Sequence, residues 1–220
     1  MPGLRTLVRM QLILASTSPA RLAVLRAAGV EPLVLPSAVD EDAVLAGSGA
    51  LSPAETVLTL ARAKALAVAD GDGCPDGIVL GGDSMFELDG KIYGKPHTPE
   101  VARQRWQMQR GRTGTLWSGH WLVDRRAGHS GDAGVGAVKS AEVTFVDDLR
   151  DDEIDAYIAS GEPLHVAGAF TIDSLGGAFI ERISGDPSTV IGISLPTLRQ
   201  LAGELGVRWH EFWNRAGAAS

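Results

Sequence analysis

The segment Leu12-Ile13-Leu14-Ala15-Ser16-Thr17-Ser18-Pro19-Ala20-Arg21-Leu22 constrains this chain more than any other stretch. A short apolar run ends in hydroxyl residues, a proline follows, and a helix-like pattern begins. Ser18 suits an N-cap, and Pro19 suits the first helical position, where a missing N–H costs nothing. Such a turn gathers free backbone N–H groups, two hydroxyls and Arg21 at one helix N-terminus, a geometry that binds phosphate. An ordinary capped helix start looks the same, so the rest of the chain has to decide.

Strands and helices alternate, without internal repeats or low-complexity tracts, which predicts an α/β domain. Strands are expected at Leu12 to Ser16, Pro32 to Ser37, Ile78 to Gly82, Thr113 to Arg125, Ala137 to Val146, Ala169 to Ile172 and Gly177 to Ile183. Helices are expected at Pro19 to Ala28, Ser52 to Asp70, Thr98 to Gly111, Asp151 to Ala159 and Pro196 to Leu205. The second helix opens on a capping box, Ser52-Pro53-Ala54-Glu55, and should turn Val57, Leu60, Ala61 and Ala65 inward. Asp89-Gly90 is a tight-turn signal that places Met85 to Tyr93 in a hairpin. Ala127 to Gly136 is glycine-rich and reads as a mobile loop. The aromatics Trp209, Phe212 and Trp213 in the tail read as docking on the body or on a partner subunit.

The 220 residues are 45% hydrophobic, enough for one domain with a sizeable core. The net charge of −7 makes nucleic-acid polymers and anionic membranes poor partners, while leaving room for a local basic pocket. No apolar stretch reaches membrane length, and Cys74 is the only cysteine, so a cytoplasmic protein is expected.

Several residues are candidates for chemistry. Asp83 follows an apolar strand, where a carboxylate faces the ligand crevice of an open α/β sheet, and Gly81 and Gly82 allow close approach. It reads as a general base, a metal ligand or a simple turn cap. Lys95, held extended by Pro96, reads as a phosphate-binding point charge or a solvated lysine. Lys64 lies among alanines that leave room for a ligand or another backbone, and it also reads as an ordinary exposed helix lysine. Val39-Asp40-Glu41-Asp42 brings three carboxylates together, which suits Mg²⁺ or Mn²⁺ as well as a solvated acidic turn. His165, Gly168 and Asp173 fall near a strand start. No nucleophile elbow, P-loop, dinucleotide fingerprint or zinc spacing is present. An anion site, two or three cations and metal-capable carboxylates together suit attack of water on a phosphoanhydride.

Taken in order, these blocks resemble the Maf-type nucleotide pyrophosphatases, a family associated with septum formation. The matching stretches are Leu12 to Gly29, Val39 to Glu41, Leu60 to Ala65, Leu80 to Ser84, Leu88 to Pro96, Tyr157 to Gly168 and Gly185 to Pro196. The resemblance implies a single domain over 1–220, with a motif-bearing core at about 11–206 and a tail at 207–220. It implies an elongated mixed α/β fold with flanking helices and two lobes around a cleft, in a family that is often dimeric. It also implies cleavage of nucleoside triphosphates to monophosphate and pyrophosphate with a divalent metal. Carried over by residue, Asp83 is the proton acceptor and a metal ligand, and Glu41 a metal ligand. Ser16, Arg21, Lys64 and Lys95 are phosphate contacts.

This chain departs from the family pattern in places. Ala20 replaces the first of two arginines found in many members. His165-Val166-Ala167-Gly168 and Ile172-Asp173-Ser174 lack the lysine and glutamine of the dTTP/UTP-cleaving subgroup, so Asp173 stands as the substrate-binding candidate there. Pro163-Leu164-His165 and Asp186-Pro187-Ser188 look closer to the subgroup acting on 7-methyl-GTP, and the preferred base stays open. The rival function is a non-catalytic nucleotide-binding regulator of cell division, which has no need of a water-activating Asp83.

Overall fold

A computed structural model describes residues 9–127 and 134–214. Seven strands form one mixed sheet in the order β2-β1-β3-β5-β6-β7, with β4 paired to β3 off that path. The strands are β1 (Leu12–Leu14), β2 (Leu33–Val34), β3 (Ile78–Leu88), β4 (Lys91–Tyr93), β5 (Thr113–Asp124), β6 (Gly134–Phe145) and β7 (Ile180–Ser184). The helices are α1 (Pro19–Ala27), α2 (Glu41–Ala46), α3 (Pro53–Ala69), α4 (Pro99–Gln109), α5 (Asp151–Ala159), α6 (Pro187–Ile191) and α7 (Leu195–Glu204). The pairs β1–β2 and β1–β3 are parallel and the others antiparallel. The expected α/β sheet with flanking helices is therefore present.

Local chemistry explains most of the element starts. Ser18, Asp40, Ser52, Thr98, Asp186 and Ser194 each accept a backbone N–H of the helix they precede. In all of these except α2, a proline stands in the first or second helical position. Asp89 and Gly90 both have positive φ, +50° and +72°, as a two-residue hairpin requires, and Leu88 pairs with Lys91 across them.

Two clusters of apolar side chains occupy opposite ends of the long central strands. At one end Ile78, Leu80 and Leu122 pack with Leu12, Leu14, Leu25, Leu198, Leu201 and Phe212. At the other, Phe86, Leu116, Val143 and Phe145 pack with Trp106, Tyr157 and Phe170. Between them lies Gly81-Gly82-Asp83-Ser84-Met85.

One edge of β3 is broken at this same place. β1 pairs with residues 78–80 and β4 with residues 86–88, so neither pairs with residues 81–85. Ile78 N–H donates to Gln11 O and Ala15 N–H to Leu80 O, which fixes the even-numbered residues of β3 as those facing this edge. The N–H and C=O groups of Gly82 and Ser84 therefore point into the gap. The gap lies between the two apolar clusters.

Several expectations need correction. The strand expected at 32–37 is only Leu33–Val34, because β1 offers partners at Ile13 and Leu14 alone and Pro32 and Pro36 have no N–H to donate. Strand β3 does not stop at Gly82: pairing with β5 carries it through Asp83 to Leu88. The segment expected as a strand at 169–172 is irregular. Thr171, Ser174, Leu175 and Gly176 all donate to the Glu162 carboxylate, as does Tyr157, so their polar groups serve a loop instead of a ladder. Burial works against the charge on Glu162, but these donors outweigh it and hold the pKa at about 2. The last expected strand begins only at Ile180, after a 3-10 turn at Leu175–Phe179. The loop expected at 127–136 falls mostly on residues 128–133, outside the described residues, while Gly134 to Gly136 belong to β6. In the tail, Phe212 is buried in the core, and Trp213 lies against Gly29.

Candidate active site

The site begins with the close approach of α3 to the sheet. A Cβ on Gly81 would lie 2.0 Å from Ala61 O and 2.7 Å from Ala65 N. One on Gly119, in β5, would lie 2.2 Å from Val57 O. Val57, Ala61 and Ala65 are spaced four apart and fall on one helix stripe. The two glycines let that stripe rest on strand backbone. The alanines around Lys64 thus make room for another backbone, one of the two readings open from sequence.

Asp83 lies two residues beyond Gly81, so it shares the α3 face of β3. Lys64 Nζ donates to Asp83 Oδ1 at 2.7 Å, and both residues are buried. The same ammonium lies 2.7 Å from Glu41 Oε1. Glu41 is the first residue of α2, which follows the parallel strand β2. The carboxyl end of a parallel strand thus delivers the second carboxylate.

Ser84 points to the opposite face, where Arg21 lies. The Arg21 guanidinium donates to Ser16 Oγ, Ser84 Oγ and Gly192 O, each at 3.1 Å. Ser16 is the residue where the chain leaves β1. Gly82 lies beneath the guanidinium: a Cβ there would be 3.3 Å from Arg21 Nε. Ser84 Oγ is 2.9 Å from Ser118 Oγ, which donates in turn to Thr189 O at 3.0 Å.

Burial pushes the Asp83 carboxyl above its ordinary pKa, while Lys64 and Arg21 pull it down and Glu41 raises it further. Burial lowers the pKa of Arg21, against which Asp83 and Glu41 favour its charge. These effects couple the charged groups of both faces. A carboxylate less acidic than usual, facing two cations, is equipped to accept a proton from water.

The donor set also fits a cation. Two hard carboxylates converge on one positive charge, as a magnesium-type ion needs when phosphates and water complete its shell. Among the described residues no three metal-ligating side chains cluster, so such an ion would depend on a phosphate ligand.

A chain-long comparison decides the family. Residues 11–205 match the family described as Maf-like protein. The chain belongs to the Maf family. A Leifsonia xyli subsp. xyli protein named nucleoside triphosphate pyrophosphatase is 62% identical over 96% of this chain and 100% of its own length. Proteins of the same name from Rhodococcus jostii and Corynebacterium diphtheriae are 52% and 49% identical, each over 93% of this chain and 97% and 99% of their own.

Of the residues expected in the site, this Maf chain joins Glu41, Lys64 and Asp83 on one face of β3 and Ser16 and Arg21 on the other. Lys95 and Asp173 are exposed and stand outside both hydrogen-bonded sets. Lys95 does lie two residues past Tyr93, whose pairing with Phe86 marks the far end of the gap. The three-carboxylate cluster is dispersed: Asp40 caps α2 by accepting Ala43 N–H, Asp42 is exposed, and only Glu41 reaches Lys64. Ser84, Ser118, Thr189 and Gly192 were not singled out from sequence. Helix α6 also went unread, although Asp186-Pro187 repeats the cap-then-proline signature of α1 and α3.

His120, completely buried in β5, has its pKa lowered by burial to about 4. In the unfolded chain it titrates near 6.5, so the unfolded state binds the extra proton first as pH falls. This contribution to stability is full above about pH 6.5 and is lost between there and about pH 4. Urea unfolding should show about 3 kcal/mol of acid destabilisation from this group, missing in His120→Gln. Equal acid sensitivity of the two proteins would remove His120 as its source.

Proposed function

We propose that this chain is a nucleoside triphosphate pyrophosphatase that releases the nucleoside monophosphate and pyrophosphate and serves to clear the nucleotide pool. The observation that carries the reading is the buried Asp83 carboxylate bound by Lys64 at the edge gap of β3, with Arg21 seated against Gly82 and Ser84 on the opposite face of the same strand. The family and the names of its relatives support the same reaction. A protein that only bound nucleotides has no need of a carboxylate that takes a proton from water. The unshared polar groups of Gly82 and Ser84 supply further partners for a ligand entering the gap.

In this reading, Lys64 and Arg21 balance phosphate charge from opposite faces of β3. Asp83 orients a water molecule and takes its proton as the phosphoanhydride is attacked. Ser16 and Ser84 keep the guanidinium plane fixed. Glu41 and Asp83 would hold a divalent cation, Mg²⁺ or Mn²⁺, which when bound neutralises phosphate charge. Lys95, on the far rim of the gap, is assigned to the outer phosphates, and Asp173 to the nucleoside end. The reading covers one domain with a single active site, and the single cysteine suits a reducing cytoplasm.

Product analysis tests the proposal. Incubation with ordinary and methylated triphosphates and either metal should yield monophosphate and pyrophosphate in equal amounts, and the panel ranks the bases. Diphosphate plus phosphate, or no product from any nucleotide, would contradict it. Arg21→Ala should cost about 2–4 kcal/mol in kcat/KM, since it removes a charge enclosed in the site. Lys95→Ala should cost no more than about 1 kcal/mol, because an exposed ammonium is screened by water. Equal losses for the two variants would count against this ranking.

A further inference from the structure

We propose that His120 is a positioning residue for Arg21, acting through the turn at residues 192–194. Its kinetic consequence rests on the pyrophosphatase reading; its structural consequence does not.

His120 pairs with Gly82 across β5 and β3, so both lie on the sheet face that carries Arg21. The ring is fully buried and both nitrogens face backbone groups. Nε2 accepts the Ser194 N–H at 2.8 Å, so the ring proton belongs on Nδ1, which lies 3.4 Å from Ala137 O. The imidazole is thus a strut between β6 and the start of α7. A buried polar ring costs free energy unless such bonds are made, and an aliphatic side chain would fill the space without that cost.

The strut bears on Arg21 through Gly192. That residue has φ +123° and its carbonyl accepts from Arg21 Nε at 3.1 Å. The chain around it is tied to β5 at two points: Thr189 O by Ser118 Oγ, and Ser194 N–H by His120. Ser16 and Ser84 hold the other side of the guanidinium. Gly192 and Ile193 N–H are also tied to Ser188 O, so loss of the His120 bond loosens the hold of β5 on this turn, and with it the carbonyl that sets the orientation of Nε. His120 has no hydrogen bond to Asp83, Lys64 or Glu41, so its effect passes through the turn.

The test compares His120→Leu, which removes the acceptor, with His120→Gln, whose Oε1 can accept the Ser194 N–H. The first readout is solvent exchange of the Arg21 Nε–H followed by NMR in the free protein. Exchange should be slow in the wild type, at least about tenfold faster in His120→Leu, and restored most of the way in His120→Gln. The second readout is steady-state kinetics: His120→Leu should raise KM for the triphosphate about tenfold while kcat changes far less, because a phosphate contact is loosened. If His120→Leu does not fold, His120→Asn serves, since its shorter amide does not reach Ser194. Unchanged exchange in the Leu or Asn variant, or a Gln variant no better than Leu, would overturn the proposal. A wild type without hydrolytic activity would sink the pyrophosphatase reading instead, and the exchange result alone would then decide the role of His120.

Discussion

Asp83→Asn should slow triphosphate hydrolysis by about 10²–10⁴-fold while leaving the fold and nucleotide binding in place. The amide is isosteric with the carboxylate and can still accept from Lys64, yet it is a far poorer proton acceptor and metal ligand. Lys64 keeps Glu41 as a partner, 2.7 Å away, so no unpaired buried cation is created. Loss of the carboxylate removes repulsion toward the phosphates while Glu41 remains to hold the cation, so binding should persist. Kinetics, calorimetric binding and thermal unfolding of the same preparation check the three statements. Hydrolysis within a fewfold of wild type would remove Asp83 from the chemistry. It would also reopen the reading of the chain as a nucleotide-binding regulator.

Gly81→Ala should be the most damaging small substitution for folding. The added methyl would sit 2.0 Å from Ala61 O and 2.9 Å from Ala65 Cβ, so α3 or β3 has to move. Overpacking of this kind costs about 3 kcal/mol. The displaced helix also carries Lys64 away from Asp83, so kcat/KM should fall even in molecules that fold. Gly203→Ala is the matched control: it lies in α7 with no neighbouring atom within 4 Å of a new Cβ. It should stabilise by about 0.5–1 kcal/mol through the better helix propensity of alanine. Urea titrations of both variants decide the point. A Gly81→Ala protein as stable as wild type would mean that α3 does not rest on β3 as described.

Local patterns were readable before the structure. The cap-then-proline pairs placed α1 and α3, and Asp89-Gly90 placed the β3–β4 hairpin. What depends on pairing across the chain was less legible. Nothing local to Gly82 tells β3 to continue; β5 does, from more than thirty residues away in sequence. The strand-like run Ala169 to Ile172 was misread because its competitor is a single carboxylate, Glu162, that gathers the local donors. The roles of Ser84, Ser118 and Gly192 exist only once β3, β5 and the turn after α6 are adjacent.

The same division runs through the site. Of the residues with charge or an ordered family motif, Asp83, Lys64 and Glu41 meet on one face of β3, and Arg21 and Ser16 meet on the other. The alternation that sends Asp83 and Ser84 to opposite faces of one strand explains why the two cations approach from different helices. His120 carried no signal beyond being a lone histidine, because its partners are backbone groups of residues 137 and 194. Lys95 and Asp173 carried a motif position but lie exposed, and their assignment depends on how a ligand fills the gap.

The most direct test is a crystal structure of the Asp83→Asn protein with a triphosphate whose α,β-bridge is methylene, soaked with Mn²⁺ so that anomalous scattering marks the metal. The phosphates should lie in the break between β1 and β4, within reach of Lys64 and Arg21, with manganese beside Glu41. Phosphates seated anywhere else on the molecule, with residues 81–85 untouched, would contradict the assignment of this site.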